Sequence, residues 1–283
     1  MSCELKEFTG SMDAPHISRP VLGFFRQIVR RYFRRQFHAV RVRGGERFTE
    51  FGHTEVGAGA EPLILYANHG SWWDPMVSTL LAAELMPGRS HYAPMDAEAL
   101  ERYGILKRIG IFPVEMKSSR GAVQFLRTGE AIVRGGGVLW VTPQGKFVDA
   151  RVRPLEFKPG LAALAARVAG SAGACNVLPL AIEYCFWDER LPECLLGFGE
   201  VVHVVAGEEA DEVEARLVTA LEGTMEQLKE MAMRREPGNF TTLARGTVGA
   251  GGFYAMGQRV KAFVLRRPYV PEHTIRITRE VQK

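Results

Sequence analysis

The chain has 283 residues, of which 46% are hydrophobic and 24% charged; this composition excludes disorder over most of its length. Its 36 Lys and Arg residues against 32 Asp and Glu give a formal net charge of +4, too small to indicate nucleic-acid binding by itself. No run of about 18 apolar residues indicates a membrane-spanning helix, and the polar start lacks the pattern of a secretory signal. The four cysteines form no CxxC pair, so we expect an intracellular protein with reduced thiols and no metal site.

Residues 21–37 predict an N-terminal amphipathic helix. Eight apolar side chains, half of them aromatic, share one half of the helix, while four arginines and a glutamine occupy the other half. The helix either packs on the surface of the domain or lies in a lipid interface, with its aromatic side in the membrane and its arginines on anionic headgroups. The phenylalanines favour the lipid interface. A nucleic-acid arm is the least favoured alternative, because it would need cations without so much Phe.

Short apolar runs then alternate with helical patterns. Predicted strands cover 63–67, 111–115, 138–142 and 177–184, with an extended pair in 194–205; predicted helices cover 75–86, 118–134, 160–169 and 208–235. This alternation predicts an α/β fold with a mixed, largely parallel sheet flanked by helices.

The chain is therefore divided into three parts. A lead and the amphipathic helix form 1–45, the α/β domain covers 46–236, and a linker with a basic aromatic tail covers 237–283. In that tail, 253–268 is either a second lipid-facing element or a helix docked on the core.

The first candidate site lies in the loop after strand 63–67. His69 follows the strand directly, at a position where α/β proteins build sites. Asp74 can accept a hydrogen bond from one imidazole nitrogen, which leaves the other nitrogen as a base near neutral pH. The alternative is structural: Asp74 caps the helix that begins with Pro75, and Asn68 with His69 shapes a turn.

Four ordered blocks favour the catalytic interpretation. Asn68, His69 and Asp74 together resemble the first motif of the glycerolipid acyltransferases, which include the lysophosphatidic acid acyltransferases. Residues 109–115, 142–146 and 177–182 resemble the second, third and fourth motifs, and 157–160 also fits the family pattern. The resemblance, which covers roughly residues 60–205, implies an α/β domain at the cytoplasmic membrane face. It also implies transfer of a fatty acyl group from acyl-CoA or acyl carrier protein to a lipid hydroxyl, without a further cofactor.

The resemblance and the chemistry together assign the general base to His69, oriented by Asp74. Backbone N–H groups within the turn Pro143-Gln144-Gly145 are predicted to stabilise the oxyanion, and an apolar channel has to hold the acyl chain. No serine lies in a G-x-S-x-G elbow, so we expect direct attack by the acceptor rather than an acyl-enzyme.

The motifs depart from the family pattern where arginines usually grip the acceptor's phosphate. The second-motif arginine position holds Met116, with Lys117 beside it, and the third motif reads Gln144 for Glu, Lys146 for Thr and Phe147 for Arg. Methionine and phenylalanine cannot replace the bidentate contact of an arginine with phosphate. We therefore expect an acceptor whose phosphate is absent or held in another way, such as a lysophospholipid with a bulkier head, a glycosylated lipid or another lipid alcohol.

The remaining candidates each have two interpretations. Arg151 and Arg153 either replace the missing phosphate ligands or lie in a solvated loop, and Trp72 and Trp73 either line the acyl entrance or the membrane interface, or pack in the core. The expected substrate-binding residues are Asn68, Trp72, Trp73, Lys117, Pro143, Gln144, Gly145, Lys146, Arg151 and Arg153. Two alternative functions stay open: a catalytically inactive lipid-binding protein of the same fold, and an acyl thioesterase.

Overall fold

The computed structural model describes residues 14–52, 57 and 59–246. Its strands are β1 (Ala39–Arg43), β2 (Leu63–Ala67), β3 (His91–Asp96), β4 (Ile111–Val114), β5 (Val138–Val141), β6 (Ala174–Cys185), β7 (Glu193–Phe198), β8 (Val202–Val205) and β9 (Thr241–Arg245). Its helices are α1 (Arg19–Gln36), α2 (Glu46–Thr49), α3 (Asp74–Leu85), α4 (Ala97–Arg102), α5 (Ser119–Arg134), α6 (Gly160–Ala172) and α7 (Ala210–Arg234).

The strands of this part of the chain form one sheet in the order β4-β3-β5-β2-β6-β7-β1-β9, with β8 paired to β6. Five of the pairings are parallel, including those of the central strand β2 with β5 and β6. Three are antiparallel, those of β6 with β7 and β8 and that of β1 with β9. The predicted mixed, largely parallel α/β fold is confirmed.

Helices cover both faces of the sheet. Buried apolar residues of α5, α6 and α7 pack on one face, and those of α1, α2 and α3 pack on the other. Strand β2 is buried along its whole length, which explains why its sequence is a continuous apolar run rather than an alternating one. The carboxyl ends of the central parallel strands therefore open at one edge, where connecting loops can build a site.

Two strands lie outside residues 46–236, the predicted limits of the α/β domain. Strand β1 pairs with β7 and β9, so the sheet continues into the segments assigned to the N-terminal lead and to the C-terminal linker. Strand β1 looks polar in sequence, yet Arg41 is buried because its guanidinium pairs with Glu193 at 3.0 Å. Strand β9 is short and half-buried at the sheet edge, which gives its sequence little apolar signal.

Helix α1 forms over the predicted segment, but only part of its apolar half is buried in the fold. Val29 and Phe33 are buried, whereas Phe24, Ile28 and Tyr32 are exposed. No helix among the described residues combines the length and the apolar character needed to cross a membrane. The predicted element 253–268 lies outside the described residues.

Candidate active site

The loops after β2 and β5 lie side by side, because these two strands are parallel neighbours. The backbone N–H of His69 donates to Oε1 of Gln144 at 2.9 Å, and the backbone N–H of Val148 donates to the carbonyl of His69 at 2.8 Å. These two hydrogen bonds fix the position of His69 at the edge of the sheet.

The side chains of His69 and Asp74 are in contact. Nδ1 of His69 lies 2.8 Å from Oδ2 of Asp74, and the aspartate side chain is only 2% exposed against 18% for the histidine. Because a carboxylate accepts hydrogen bonds, Nδ1 carries the proton and Nε2 of the neutral ring keeps its lone pair. Nε2 has no hydrogen-bond partner among the described residues. The arrangement leaves Nε2 with a free lone pair on a ring that is partly exposed.

Asp74 does not cap helix α3, which was the structural alternative for this residue. Helix α3 begins at Asp74 itself, its N-cap residue is Trp73, and no side chain caps it. The carboxylate instead accepts from the N–H of Ser71 at 3.0 Å and from the hydroxyl of Tyr184 at 2.7 Å, besides His69. All of its contacts therefore point away from the helix N–H groups that a cap would satisfy.

Tyr184 is a site residue that the sequence reasoning missed. It lies near the end of β6, and burial, together with Cys194 and Asp74, raises the pKa of its phenol far above the usual range. The hydroxyl therefore stays protonated and donates to Oδ1 of Asp74. The one signal in the sequence is its position at the end of the predicted strand 177–184, which does not reveal its partner.

The turn after β5 is built by buried groups. Pro143 is buried and its carbonyl accepts from the N–H of Lys158 at 2.9 Å, while Gln144 is buried with its amide oxygen on His69. Gly145 has a φ of +61°, and a Cβ there would lie 2.6 Å from Cε of Lys158. Its N–H donates to the carbonyl of Thr142 at 3.0 Å. The expected oxyanion donor at Gly145 is thus corrected: that N–H is already engaged, and the glycine makes room for Lys158.

Phe147 occupies the position at which the family pattern has an arginine. Its ring centroid lies 4.4 Å from that of His69, and the residue is 61% exposed. An apolar ring therefore lies against the imidazole at the sequence position where the family pattern has an arginine.

Arg151 and Arg153 both have partners within the described part of the chain. Arg151 pairs with Asp149 through two contacts, at 2.8 and 2.7 Å, and these contacts hold the pKa of Asp149 well below its usual range. Arg153 donates to the carbonyls of Ala150 and Val152 and contacts Glu226 at 3.3 Å. Both arginines are thus paired within the fold, and their contacts with the substrate stay a prediction.

The two predicted lysines are both exposed. Nζ of Lys146 lies 4.0 Å from Oε2 of Glu156, and both side chains are exposed. Lys117 follows β4, whereas His69 follows β2, and strands β3 and β5 lie between these two strands. The distance across the sheet from β4 to β2 is therefore roughly 14 Å. The structure does not bring Lys117 to His69.

Asn68 is 1% exposed, and both ends of its amide are used within the fold. Its Nδ2 donates to the carbonyl of Ile182 at 3.0 Å, and its Oδ1 accepts from the N–H of the same residue at 2.8 Å. The predicted substrate contact is corrected: Asn68 fastens the end of β2 to β6.

The two tryptophans differ in environment. Trp73 packs against Phe33 and Phe37 from the end of α1, with ring centroids 5.8 and 5.0 Å away. Trp72 stacks on Trp73 at 4.7 Å and is 55% exposed. One indole is thus part of the packing, and the other is available at the surface.

Two surface clefts among the described residues lie away from His69, so neither of them is the expected acyl channel. One cleft, of about 880 Å³, lies beside α5 and α6, and another, of about 550 Å³, lies between α1, α3 and β9. His69 lines neither of them, and its side chain is 18% exposed. The described residues hold no cluster of side chains suited to bind a metal ion.

Comparisons with known proteins were made for the sequence and for the structure. No curated protein matches the sequence. Among solved structures, the 1-acyl-sn-glycerophosphate acyltransferase PlsC from Thermotoga maritima aligns over 74% of this chain and 79% of its own, with 18% identity and a TM-score of 0.49. The pilus retraction motor PilT with bound ADP aligns over 70% of this chain and 62% of its own, with 12% identity and a TM-score of 0.30.

The family comparison covers the strands and loops that build the site. A model described as Acyltransferase matches residues 39–183, from the start of β1 to the residue before Tyr184. Because this match spans more than half of the chain, the protein belongs to the acyltransferase family.

Proposed function

We propose that the protein transfers a fatty acyl group from an acyl thioester to a hydroxyl of a lipid acceptor, with His69 as general base and Asp74 as its orienting carboxylate. The observation that carries this proposal is the 2.8 Å contact between Nδ1 of His69 and the buried carboxylate of Asp74. It leaves Nε2 as the one ring nitrogen able to take a proton.

The reaction balances with these two residues. Nε2 of His69 takes the hydroxyl proton while the acceptor oxygen attacks the thioester carbonyl and forms the new C–O bond. Asp74 stabilises the imidazolium. The tetrahedral intermediate then collapses, the C–S bond breaks, and the imidazolium returns its proton to the leaving thiolate. No covalent acyl-enzyme is needed.

The turn after β5 is the proposed oxyanion site. With the N–H of Gly145 engaged, the N–H groups of Gln144 and Lys146 remain without an acceptor among the described residues. Backbone N–H groups beside the base are suited to stabilise the negative charge on the thioester oxygen. The turn lies next to His69 because the amide of Gln144 binds its backbone.

We propose that the acceptor either lacks a phosphate monoester or carries one that is not bound by the arginines usual in the family. Phe147 places an apolar ring against His69, and both nearby arginines are held by carboxylates or carbonyls. A phosphate dianion beside Phe147 would lose water without gaining a bidentate partner. A lysophospholipid with a larger headgroup, a glycosylated lipid or another lipid alcohol fits this surface better. Acyl-CoA and acyl carrier protein both remain proposed donors.

Peripheral attachment to the cytoplasmic face of a membrane completes the proposal. Phe24, Ile28 and Tyr32 lie on successive turns of α1 and are exposed. The ring centroids of Tyr32 and Trp73 lie 6.0 Å apart, and Trp73 stacks on the exposed Trp72. The aromatic surface therefore continues from α1 to the loop that carries His69. Arginines of α1 flank this surface, as anionic headgroups require.

The test is incubation of the purified protein with labelled acyl-CoA or acyl carrier protein and a total lipid extract, followed by mass spectrometry of the acylated species. A new acyl lipid that His69→Ala abolishes supports the proposal. Free fatty acid released at the same rate without any acceptor would identify a thioesterase. Lipid binding without turnover would identify a non-catalytic lipid-binding protein.

A further inference from the structure

The two oxygens of the Asp74 carboxylate are held from opposite sides. Oδ2 faces His69 and the N–H of Ser71, while Oδ1 accepts from the hydroxyl of Tyr184 at 2.7 Å. The aspartate side chain is 2% exposed, so water cannot readily replace a lost donor. Each oxygen thus depends on the protein for its hydrogen bonds.

The sheet brings Tyr184 to this place by an extension of one strand. Strand β6 pairs with β2 only as far as Leu180, which lies opposite Ala67. Beyond that point β6 pairs with β7 instead, and Tyr184 lies opposite Cys194. The antiparallel partner therefore carries β6 four residues past its last pairing with β2, to the start of α3.

The phenol ring is also held in place. Its centroid lies 5.8 Å from the ring of Phe37, which is itself buried and packs on Trp73 next to Asp74. Burial keeps the pKa of the phenol far above its usual value, so the hydroxyl stays protonated near neutral pH and can donate. A rigid ring with a protonated hydroxyl restricts rotation of the carboxylate.

We propose that Tyr184 is a positioning residue, whose hydroxyl holds Oδ1 of Asp74 so that Oδ2 stays directed at Nδ1 of His69. This inference rests on the proposed function and extends it to a residue outside the motif formed by Asn68, His69 and Asp74. Tyr184 acts through Asp74 and does not touch the reacting atoms. It sets both the orientation of the imidazole and the charge that the carboxylate presents to it.

The test is Tyr184→Phe, which removes only the hydroxyl. We expect kcat to fall about tenfold, with KM for the acyl donor and for the acceptor within about twofold of wild type. The acid limb of the pH profile of kcat should move to higher pH, because a carboxylate without its donor stabilises the imidazolium more strongly. A lost Nδ1–H proton resonance of His69, or a shift in it, gives a second readout that does not depend on turnover.

Tyr66→Phe is the matched control. Tyr66 is also buried, and its hydroxyl donates to the carbonyl of Leu217 at 2.9 Å, in the core and away from Asp74. Both variants lose one buried hydroxyl, but only Tyr184→Phe should move the acid limb and the His69 resonance. An effect of general destabilisation would appear in both.

The possible outcomes separate this inference from the proposed function. If His69→Ala keeps the wild-type rate, the proposed function fails. If His69→Ala is inactive while Tyr184→Phe matches wild type in kcat, acid limb and resonance, only the role of Tyr184 fails. Should Tyr184→Phe not fold, Tyr184→3-fluorotyrosine keeps the ring and strengthens the donor. It must then move the acid limb to lower pH, and an unmoved limb overturns the inference.

Discussion

The ring of Phe147 lies against the imidazole of His69, with the two centroids 4.4 Å apart. The same position carries an arginine in the motif that the sequence resembles. Phe147 therefore places an apolar ring directly beside the proposed base, at a position where an arginine would carry a positive charge that attracts phosphate.

Phe147→Arg should shift the acceptor preference towards phosphate monoesters. A guanidinium within reach of the acceptor can make a charge-assisted bidentate contact, so the kcat/KM for lysophosphatidic acid should rise about tenfold relative to the preferred acceptor of the wild type. The measurement is a competition between the two acceptors with one labelled acyl donor. Phe147→Leu is the control, because it changes the ring without adding charge; an equal shift in both variants would contradict the role given to charge.

Gln144→Ala should destabilise the fold. The amide oxygen of Gln144 is buried and accepts from the N–H of His69 at 2.9 Å, and its removal leaves that N–H without an acceptor. We expect the free energy of unfolding, measured with urea, to fall by about 1–3 kcal/mol. Gln144→Glu keeps an acceptor oxygen and should recover part of the loss. Wild-type stability in Gln144→Ala would show that the bond between the two loops contributes nothing.

Local apolar runs were sufficient to predict the centre of the sheet. Strands β2 and β5 are buried along their whole length, so their sequences alone identify them. Strand β1 could not be predicted in this way, because burial of Arg41 depends on Glu193, 152 residues further along the chain. A buried ion pair of this separation has no local sequence pattern.

The same distinction holds for the site. His69 and Asp74 are five residues apart, so their contact could be predicted from spacing. Tyr184 is 110 residues from Asp74, and nothing near it in sequence indicates that it donates to a carboxylate. Arg151, a predicted phosphate ligand, has a local partner that the sequence reasoning did not consider: it pairs with Asp149, two residues away.

Arg151→Ala should leave catalysis unchanged. The side chain is exposed and pairs with Asp149, so its removal takes no cation away from the substrate. We expect KM for the acceptor and kcat to stay within about twofold of wild type at moderate ionic strength. Asp149→Ala, which frees the guanidinium, is the informative partner variant. A tenfold rise in KM for the acceptor in Arg151→Ala would show that Arg151 binds it after all.

Polar substitutions on α1 should weaken membrane binding without unfolding the protein. Phe24→Ser and Tyr32→Ser alter exposed side chains, so we expect each to reduce cosedimentation with anionic vesicles severalfold. A deletion of the first 40 residues is a poorer test, since it also removes Phe33 and Phe37 from the core.

Met233→Ser is the control for these substitutions. Met233 is 66% exposed near the end of α7, on the opposite face of the sheet from α1, so its loss removes a similar apolar surface from another part of the molecule. Equal binding by all three variants and the wild type would contradict the interfacial role of α1, whereas equal weakening in all three would indicate nonspecific apolar adsorption.

His91 should make the fold sensitive to mild acid. Its Nε2 donates to the carbonyl of Met86 at 2.9 Å, and its Nδ1 accepts from the indole of Trp140 at 3.1 Å, so the ring is neutral in the fold. Burial lowers the pKa of His91 from 6.5 to about 4, against the opposing effect of the Met86 hydrogen bond and with a smaller contribution from Arg26.

Between about pH 4 and pH 6.5 the unfolded chain binds a proton at His91 that the folded chain does not. The free energy of unfolding therefore falls as the pH falls from about 6.5 towards 4, and the contribution of the neutral ring is fully present above pH 6.5. At pH 5 the loss should be roughly 1–2 kcal/mol relative to pH 7. Urea unfolding at both pH values, compared between wild type and His91→Gln, isolates this contribution because glutamine does not titrate. The exposed residue His16 provides the control, His16→Gln, which should lose as much stability as the wild type. If His91→Gln loses as much as the wild type between pH 7 and pH 5, the acid sensitivity arises at other groups and the neutral ring at position 91 does not cause it.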